Sequence, residues 1–131
     1  MTEALQFQLD KFKNSLKRLN EALERDKDKD DLVLNAVIQR FEFTFENSWK
    51  SIKQTLRIKG IDCLTPRDCI KESFRNGWLK NEEIFLELLE CRNLTSHTYR
   101  FETAVRVYDS VKKNAFVFDE LLSELENNLD S

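Results

Sequence analysis

Apolar residues at Leu5, Leu9, Phe12, Leu16, Leu19 and Leu23 recur in alternating steps of four and three, a spacing that lines one face of an α-helix and no face of a strand. The helical period returns through Leu34, Val37/Ile38, Phe41, Phe45, Trp49, Ile52 and Leu56, and again through Ile84, Phe85, Leu88, Leu89 and Cys91. It resumes through Phe101, Ala104, Val105, Tyr108 and Val111, and then through Phe116, Leu121, Leu122 and Leu125. Two glycines and one proline in 131 residues leave little material for the turns of an all-β fold. The pattern predicts an all-α chain: an antiparallel up-and-down helical bundle of four main helices plus short ones, in a single domain over residues 1–131. A chain of this size buries roughly two-thirds of its unfolded surface, enough for one core without a disulfide or structural metal.

Local signals set the boundaries. The first helix should run from about Glu3 to Glu24 and stop at the mixed-charge run 24–31, which has nothing to bury. The second should run from about Asp31 to Lys59, with Gly60 just past its end. The two make an antiparallel hairpin. Thr65-Pro66-Arg67-Asp68 supplies an N-cap, a proline at the first helical position and a carboxylate at the third, opening a short helix to about Arg75. Asn76-Gly77 ends it, Asn81-Glu82-Glu83 opens a fourth, and a kink is expected near Asn114 in the last helical stretch.

The net charge of −3 argues against a dedicated nucleic-acid binder, yet residues 50–80 hold eight basic side chains against three acidic ones. A polyanion could lie along that segment; solvated helix faces would give the same pattern. Cys63, Cys69 and Cys91 are odd in number and fit no metal-binding spacing, which reads as three reduced, buried thiols. With no leader-like start and no run of eighteen apolar residues, the expectation is a cytoplasmic protein with no membrane span, no metal and no cofactor.

One residue departs from packing logic. Arg92 lies four positions after Leu88 and three after Leu89, so it falls on the apolar stripe where another leucine would be expected. It needs a partner: either a glutamate such as Glu42 or Glu46, or an anion such as phosphate. His97, the one histidine, could converge with Arg92 only if the helix ends between them. Thr95, Ser96 and Thr98, poor helix-interior residues, make that break plausible. Glu42, Glu46 and Lys50 stand at four-residue steps, so Glu46 can pair with Lys50 or one glutamate can reach Arg92. Phe41, Phe45 and Trp49 are expected in the core. Phe43, about 200° around the helix from Phe41, cannot share that face and would mark a dimer or partner surface.

Arg92, four residues, His97, one residue and Tyr99 resemble the arginine–x4–histidine–x–tyrosine signature of HEPN domains, in the branch called nucleotidyltransferase substrate-binding proteins. The helix-two string Arg40-Phe41-Glu42-Phe43-Thr44-Phe45-Glu46-Asn47-Ser48-Trp49-Lys50 and the string Arg92-Asn93-Leu94-Thr95-Ser96-His97-Thr98-Tyr99 are both similar to blocks of that branch, in the correct order. The resemblance implies a HEPN-like bundle that forms a homodimer with the Arg92/His97 segments face to face, partnered by a minimal nucleotidyltransferase. It further implies a metal-independent endoribonuclease toxin, with Arg92, Asn93 and His97 catalytic and Tyr99 adenylylated by the transferase to silence it. Glu42, Glu46 and Lys50 on helix two are the candidate substrate contacts, with surface pairing as the other account. Two other readings stand beside the toxin: a non-catalytic subunit that holds a nucleotide or substrate for the transferase, and a structural helical adaptor whose arginine belongs to a buried ion pair.

Overall fold

The computed structural model describes residues 3–129. Among them six α-helices follow one another: α1 (Glu3–Leu23), α2 (Leu32–Ile58), α3 (Pro66–Arg75), α4 (Glu82–Leu94), α5 (Phe101–Asn114) and α6 (Phe116–Leu129), with a 3₁₀ turn at Thr95–His97 between α4 and α5. No strand occurs among the described residues. The fold is all-α, as the periodicity predicts, and a single residue, Ala115, separates α5 from α6 where a kink was expected.

α2 is the central post, packing against every other α-helix. Its apolar face holds Val37, Phe41, Phe45, Ile52 and Leu56, but Thr44, Ser48, Ser51 and Thr55 are buried too. Small side chains let neighbouring helices approach closely. The hydroxyls of Thr44, Ser48 and Thr55 donate to the carbonyls of Arg40, Phe45 and Ser51 at 2.7–2.8 Å, which removes most of the cost of burying them. Between α1 and α2, the buried Gln8 amide donates to the Asn47 side chain, and Asn47 Nδ2 donates to Ser15 Oγ at 2.7 Å.

Five phenylalanines tie the layers together. The Phe118 ring on α6 lies 6.3 Å from Phe12 on α1, 6.3 Å from Phe41 on α2 and 5.4 Å from Phe85 on α4, centroid to centroid. Phe45 joins Phe41 and Phe85. All five are fully buried, and the edge-on geometry of Phe118 with Phe12 and Phe85 suits the ring quadrupoles.

The helix ends follow their local chemistry. Thr65 Oγ1 accepts from the Asp68 amide at 3.1 Å with Pro66 at the first helical position. Gly60 and Gly77 take φ of 80° and 79°; the following amides, Ile61 and Trp78, reach back to the Leu56 and Ser73 carbonyls at 3.0 Å. Both are Schellman closures, which need the left-handed conformation glycine adopts freely.

Two expectations change. Cys63 and Cys69 are joined in a disulfide and only Cys91 is a free, buried thiol, against three reduced cysteines. The turn built by Thr65-Pro66 folds the loop back onto the first turn of α3 and brings the two Cα atoms to 5.1 Å, inside disulfide range. Trp49 is half-buried at the edge of the core, where its indole N–H finds a carboxylate. Phe41 and Phe45 are fully buried and Phe43 is 58% exposed, as their helical phase requires.

Candidate functional site

Arg92 sits in the last turn of α4, which ends two residues later. Its Nε and Nη2 both donate to Glu46 Oε1 on α2, at 2.9 and 2.6 Å. The other carboxylate oxygen of Glu46 accepts from Trp49 Nε1 at 3.1 Å, so both Glu46 oxygens are engaged and the guanidinium plane is fixed. Nη1 points to Asn93 Oδ1 at 3.4 Å. The side chains of Arg92 and Glu46 are 36% and 32% exposed. The cation on the apolar stripe is therefore held by the protein at each nitrogen yet remains partly exposed, and N–H hydrogens beyond these three contacts are left for a phosphate oxygen.

The helix breaks where the sequence suggests. Thr95 Oγ1 donates to the Arg92 carbonyl at 2.7 Å, and the Thr95 amide closes on the same oxygen; Thr98 Oγ1 donates to the Thr95 carbonyl at 3.0 Å. These hydroxyls satisfy carbonyls that a continuing helix would have used, tightening the chain into the 3₁₀ turn that carries His97. The Arg100 amide then bonds the His97 carbonyl at 3.2 Å and Arg100 opens α5 in extended conformation.

His97 is exposed, and its ring neighbour is Tyr99, 6.2 Å away and edge-on. Among the described residues no hydrogen bond joins the imidazole to Arg92, so one chain presents the two groups on the same α4–α5 corner without a direct contact. Tyr99 is 76% exposed. The guanidinium of Arg100 stands 5.8 Å over its ring, a cation that sequence reasoning passed over; its signal was adjacency to the tyrosine. Tyr99 and Phe101 also form one wall of a groove of about 520 Å³, with Lys27, Asp31 and Asn35 of the α1–α2 corner opposite.

The other expected substrate contacts divide. Glu46 is the arginine's partner and does not pair with Lys50. Glu42 and Lys50 make no hydrogen bond or ion pair among the described residues; Lys50 is exposed and Glu42 half-buried. Glu42 and Glu46 share a face of α2, and it is the level of Glu46 along the helix, one turn further on, that meets Arg92 at the end of α4. No group of three or more His, Cys, Asp or Glu side chains is placed to hold a metal ion among the described residues. No helix among them is long and apolar enough to cross a membrane.

Comparison with known proteins bears on the family and the fold. A Haemophilus influenzae protein described as a probable ribonuclease HepT is 30% identical over 100 residues, which cover 70% of this chain and 68% of the relative. A solved structure from Thermus thermophilus superposes with a TM-score of 0.80 at 28% identity, covering 87% of this chain and 98% of that one. Two more distant structures share the fold. One is a Haemophilus influenzae protein described as revealing the fold of a substrate-binding domain of a nucleotidyltransferase, with TM-score 0.69, 24% identity and coverage of 94% and 97%. The other is a tri-AMPylated Shewanella oneidensis HEPN toxin in complex with an MNT antitoxin, with TM-score 0.72, 14% identity and coverage of 97% and 99%. The model of the family described as nucleotidyltransferase substrate binding protein like matches residues 7–127: this chain belongs to that family, on a HEPN-type helical fold.

Proposed function

We propose that this chain is the toxin subunit of a pair completed by a minimal nucleotidyltransferase, and that it cleaves RNA without a metal at a site built from Arg92, Asn93 and His97 of two copies. The observation that carries the reading is the Arg92 fork, held on Glu46 and beside Asn93 at the end of α4, next to the turn bearing His97, with about a third of the side chain exposed, 36%. The 30% identical relative described as a probable ribonuclease supports the activity.

Cleavage of this kind requires a base to take the 2′-hydroxyl proton, an acid to protonate the departing 5′-oxygen, and a cation for the charge gathering on phosphorus. The 2′-oxygen bonds to phosphorus as the bond to the 5′-oxygen breaks, leaving a 2′,3′-cyclic phosphate and a 5′-hydroxyl. Histidine suits either proton role near neutral pH, and one chain carries one histidine. A two-fold dimer supplies both, with paired Arg92 forks on the phosphate and Asn93 orienting them. The exposed His97, with no hydrogen-bond partner for its ring among the described residues, fits a site shared between copies.

Silencing would fall on Tyr99. Its phenol is exposed, with no hydrogen bond on its hydroxyl among the described residues. Attack of that oxygen on the α-phosphorus of ATP, held by the transferase, joins AMP to the tyrosine and releases pyrophosphate. The added phosphate would lie close to Arg100 and two residues from His97, adding negative charge and bulk at the mouth of the site.

Expression of the chain alone in bacteria, beside Arg92→Ala and His97→Ala, tests the proposal. Growth arrest by wild type that both variants relieve, with RNA cleavage that persists in EDTA and leaves cyclic phosphate ends, is the expected result. A second reading has its own support in the absence of direct contact between Arg92 and His97: the chain would hold a nucleotide or substrate for the transferase without cutting it. Harmless expression together with intact RNA and measurable nucleotide binding would establish that reading instead.

A further inference from the structure

We propose that the cleft between α1 and α2 is a binding groove for single-stranded RNA, with phosphates held by Lys11, Arg18 and Arg40 and a base stacked on Phe43. The cleft encloses about 410 Å³, and no carboxylate lines it. That is unexpected in a chain with 24 acidic and 21 basic residues. Lys11 and Arg18 are seven residues apart on α1, as are Ala36 and Phe43 on α2, so each set shares one helix face.

None of the three cations has a carboxylate partner among the described residues. Arg40 Nη1 donates to the Arg18 carbonyl at 2.8 Å, which holds its guanidinium at the cleft. The Lys11 ammonium stands 5.0 Å over the exposed Phe7 ring. Asn14 and Gln39 add exposed carboxamides able to meet base edges. Phe43 leaves 58% of its surface in water beside these cations, and a cationic groove interleaved with an exposed aromatic is what a strand of stacked bases requires. Acidic peptide would use the cations and leave the ring idle.

The stretch that sequence reasoning singled out, residues 50–80, does not offer such a surface. Its Lys71 and Arg75 share a cleft with Asp62, Asp68 and Glu72, and Arg75 is paired with Glu72. From Ala36 to Asn47 the groove follows α2 for roughly 16 Å at 1.5 Å per residue, on the side of α2 that faces α1, where Asn47 meets Gln8 and Ser15. The preference for RNA over other polyanionic strands rests on the ribonuclease reading; the groove itself does not.

The test uses the His97→Ala chain, so that RNA survives, and a fluorescent single-stranded oligoribonucleotide followed by anisotropy over a range of salt. Lys11→Ala/Arg18→Ala should weaken binding and reduce the slope of log K against log salt by about 1.4, roughly 0.7 per lost cation. Phe43→Ala should weaken binding roughly five- to a hundredfold with the slope unchanged. Arg67→Ala/Lys80→Ala, which removes the same charge from exposed positions elsewhere, should leave affinity within about twofold. Equal losses in the two double variants, or no binding at all, would overturn the groove. So would a shift from dimer to monomer in the groove variants, read by light scattering, with RNA affinity unchanged: the face would then be a contact between copies. Cleavage by the wild-type chain is scored separately, so binding through the groove without cleavage removes the nuclease reading and leaves the groove standing.

Discussion

Glu46→Ala removes the anchor of Arg92, and its consequence can be worked from the contacts. The carboxylate accepts two hydrogen bonds from the guanidinium and one from the Trp49 indole. Were the pair fully buried, deleting one partner would cost roughly 3–5 kcal/mol; an exposed pair contributes about 0–1. Side-chain exposures of 36% and 32% place this pair between those limits, and about 2 kcal/mol is expected. With an unfolding entropy of roughly 2.1 cal/mol/K per residue, a chain of 131 residues loses about 7 °C of Tm. Glu46→Gln keeps one oxygen to accept from the arginine but loses the charge and sets its Nε2 donor against the Trp49 indole N–H, so only part of that loss should return. Activity separates positioning from packing: with the fork free to swing, RNA cleavage should fall at least tenfold in Glu46→Ala at a temperature where both proteins are folded, mainly in kcat. Calorimetry and a single-turnover cleavage assay read the two effects. A Glu46→Ala protein within about 2 °C of wild type and equally active would show the pair to be a solvated surface contact and would refute the reasoning.

Phe118→Ala, which empties the meeting point of three other rings, should cost roughly 3–5 kcal/mol and lower Tm far more than any site variant; a loss below about 1 kcal/mol in denaturant titration would contradict the packing. Burial pushes the Cys91 thiol pKa up, which disfavours its reactive thiolate. With Cys63 and Cys69 bonded, a thiol reagent should find no reactive group in the native protein, one after denaturation and three after denaturation with reductant; three in denaturant alone would show the cysteines to be reduced. Replacing the Thr65 cap by alanine should cost roughly 0.5–2 kcal/mol, measured as a shift of the denaturation midpoint.

What the sequence settled by itself was local. The steps of three and four, the Thr65-Pro66 start, the glycines past α2 and α3, and the threonine-rich end of α4 each act within one or two helical turns, and each appears where its pattern predicts. Arg92 announced itself for the same reason, as a cation in a place where the period called for leucine. The tertiary structure decided what depended on residues far apart in the chain. Whether Arg92 met Glu46, 46 positions away, or Glu42 one turn earlier on the same face turned on how far α2 is shifted along its axis against α4. The Cys63–Cys69 bond, between residues only six apart, is the exception: the local Thr65 cap folds the loop back, and the odd count of cysteines hid the pair. Half of the acid-free groove was legible in the chain, since Lys11, Lys13, Lys17 and Arg18 stand together in residues 11–20 with no carboxylate among them; the antiparallel packing of α1 and α2 is what set Arg40 and Phe43 beside Lys11 and Arg18. Helix and cap propensities are written in neighbouring residues, whereas rotation and register between helices come from packing the whole core at once.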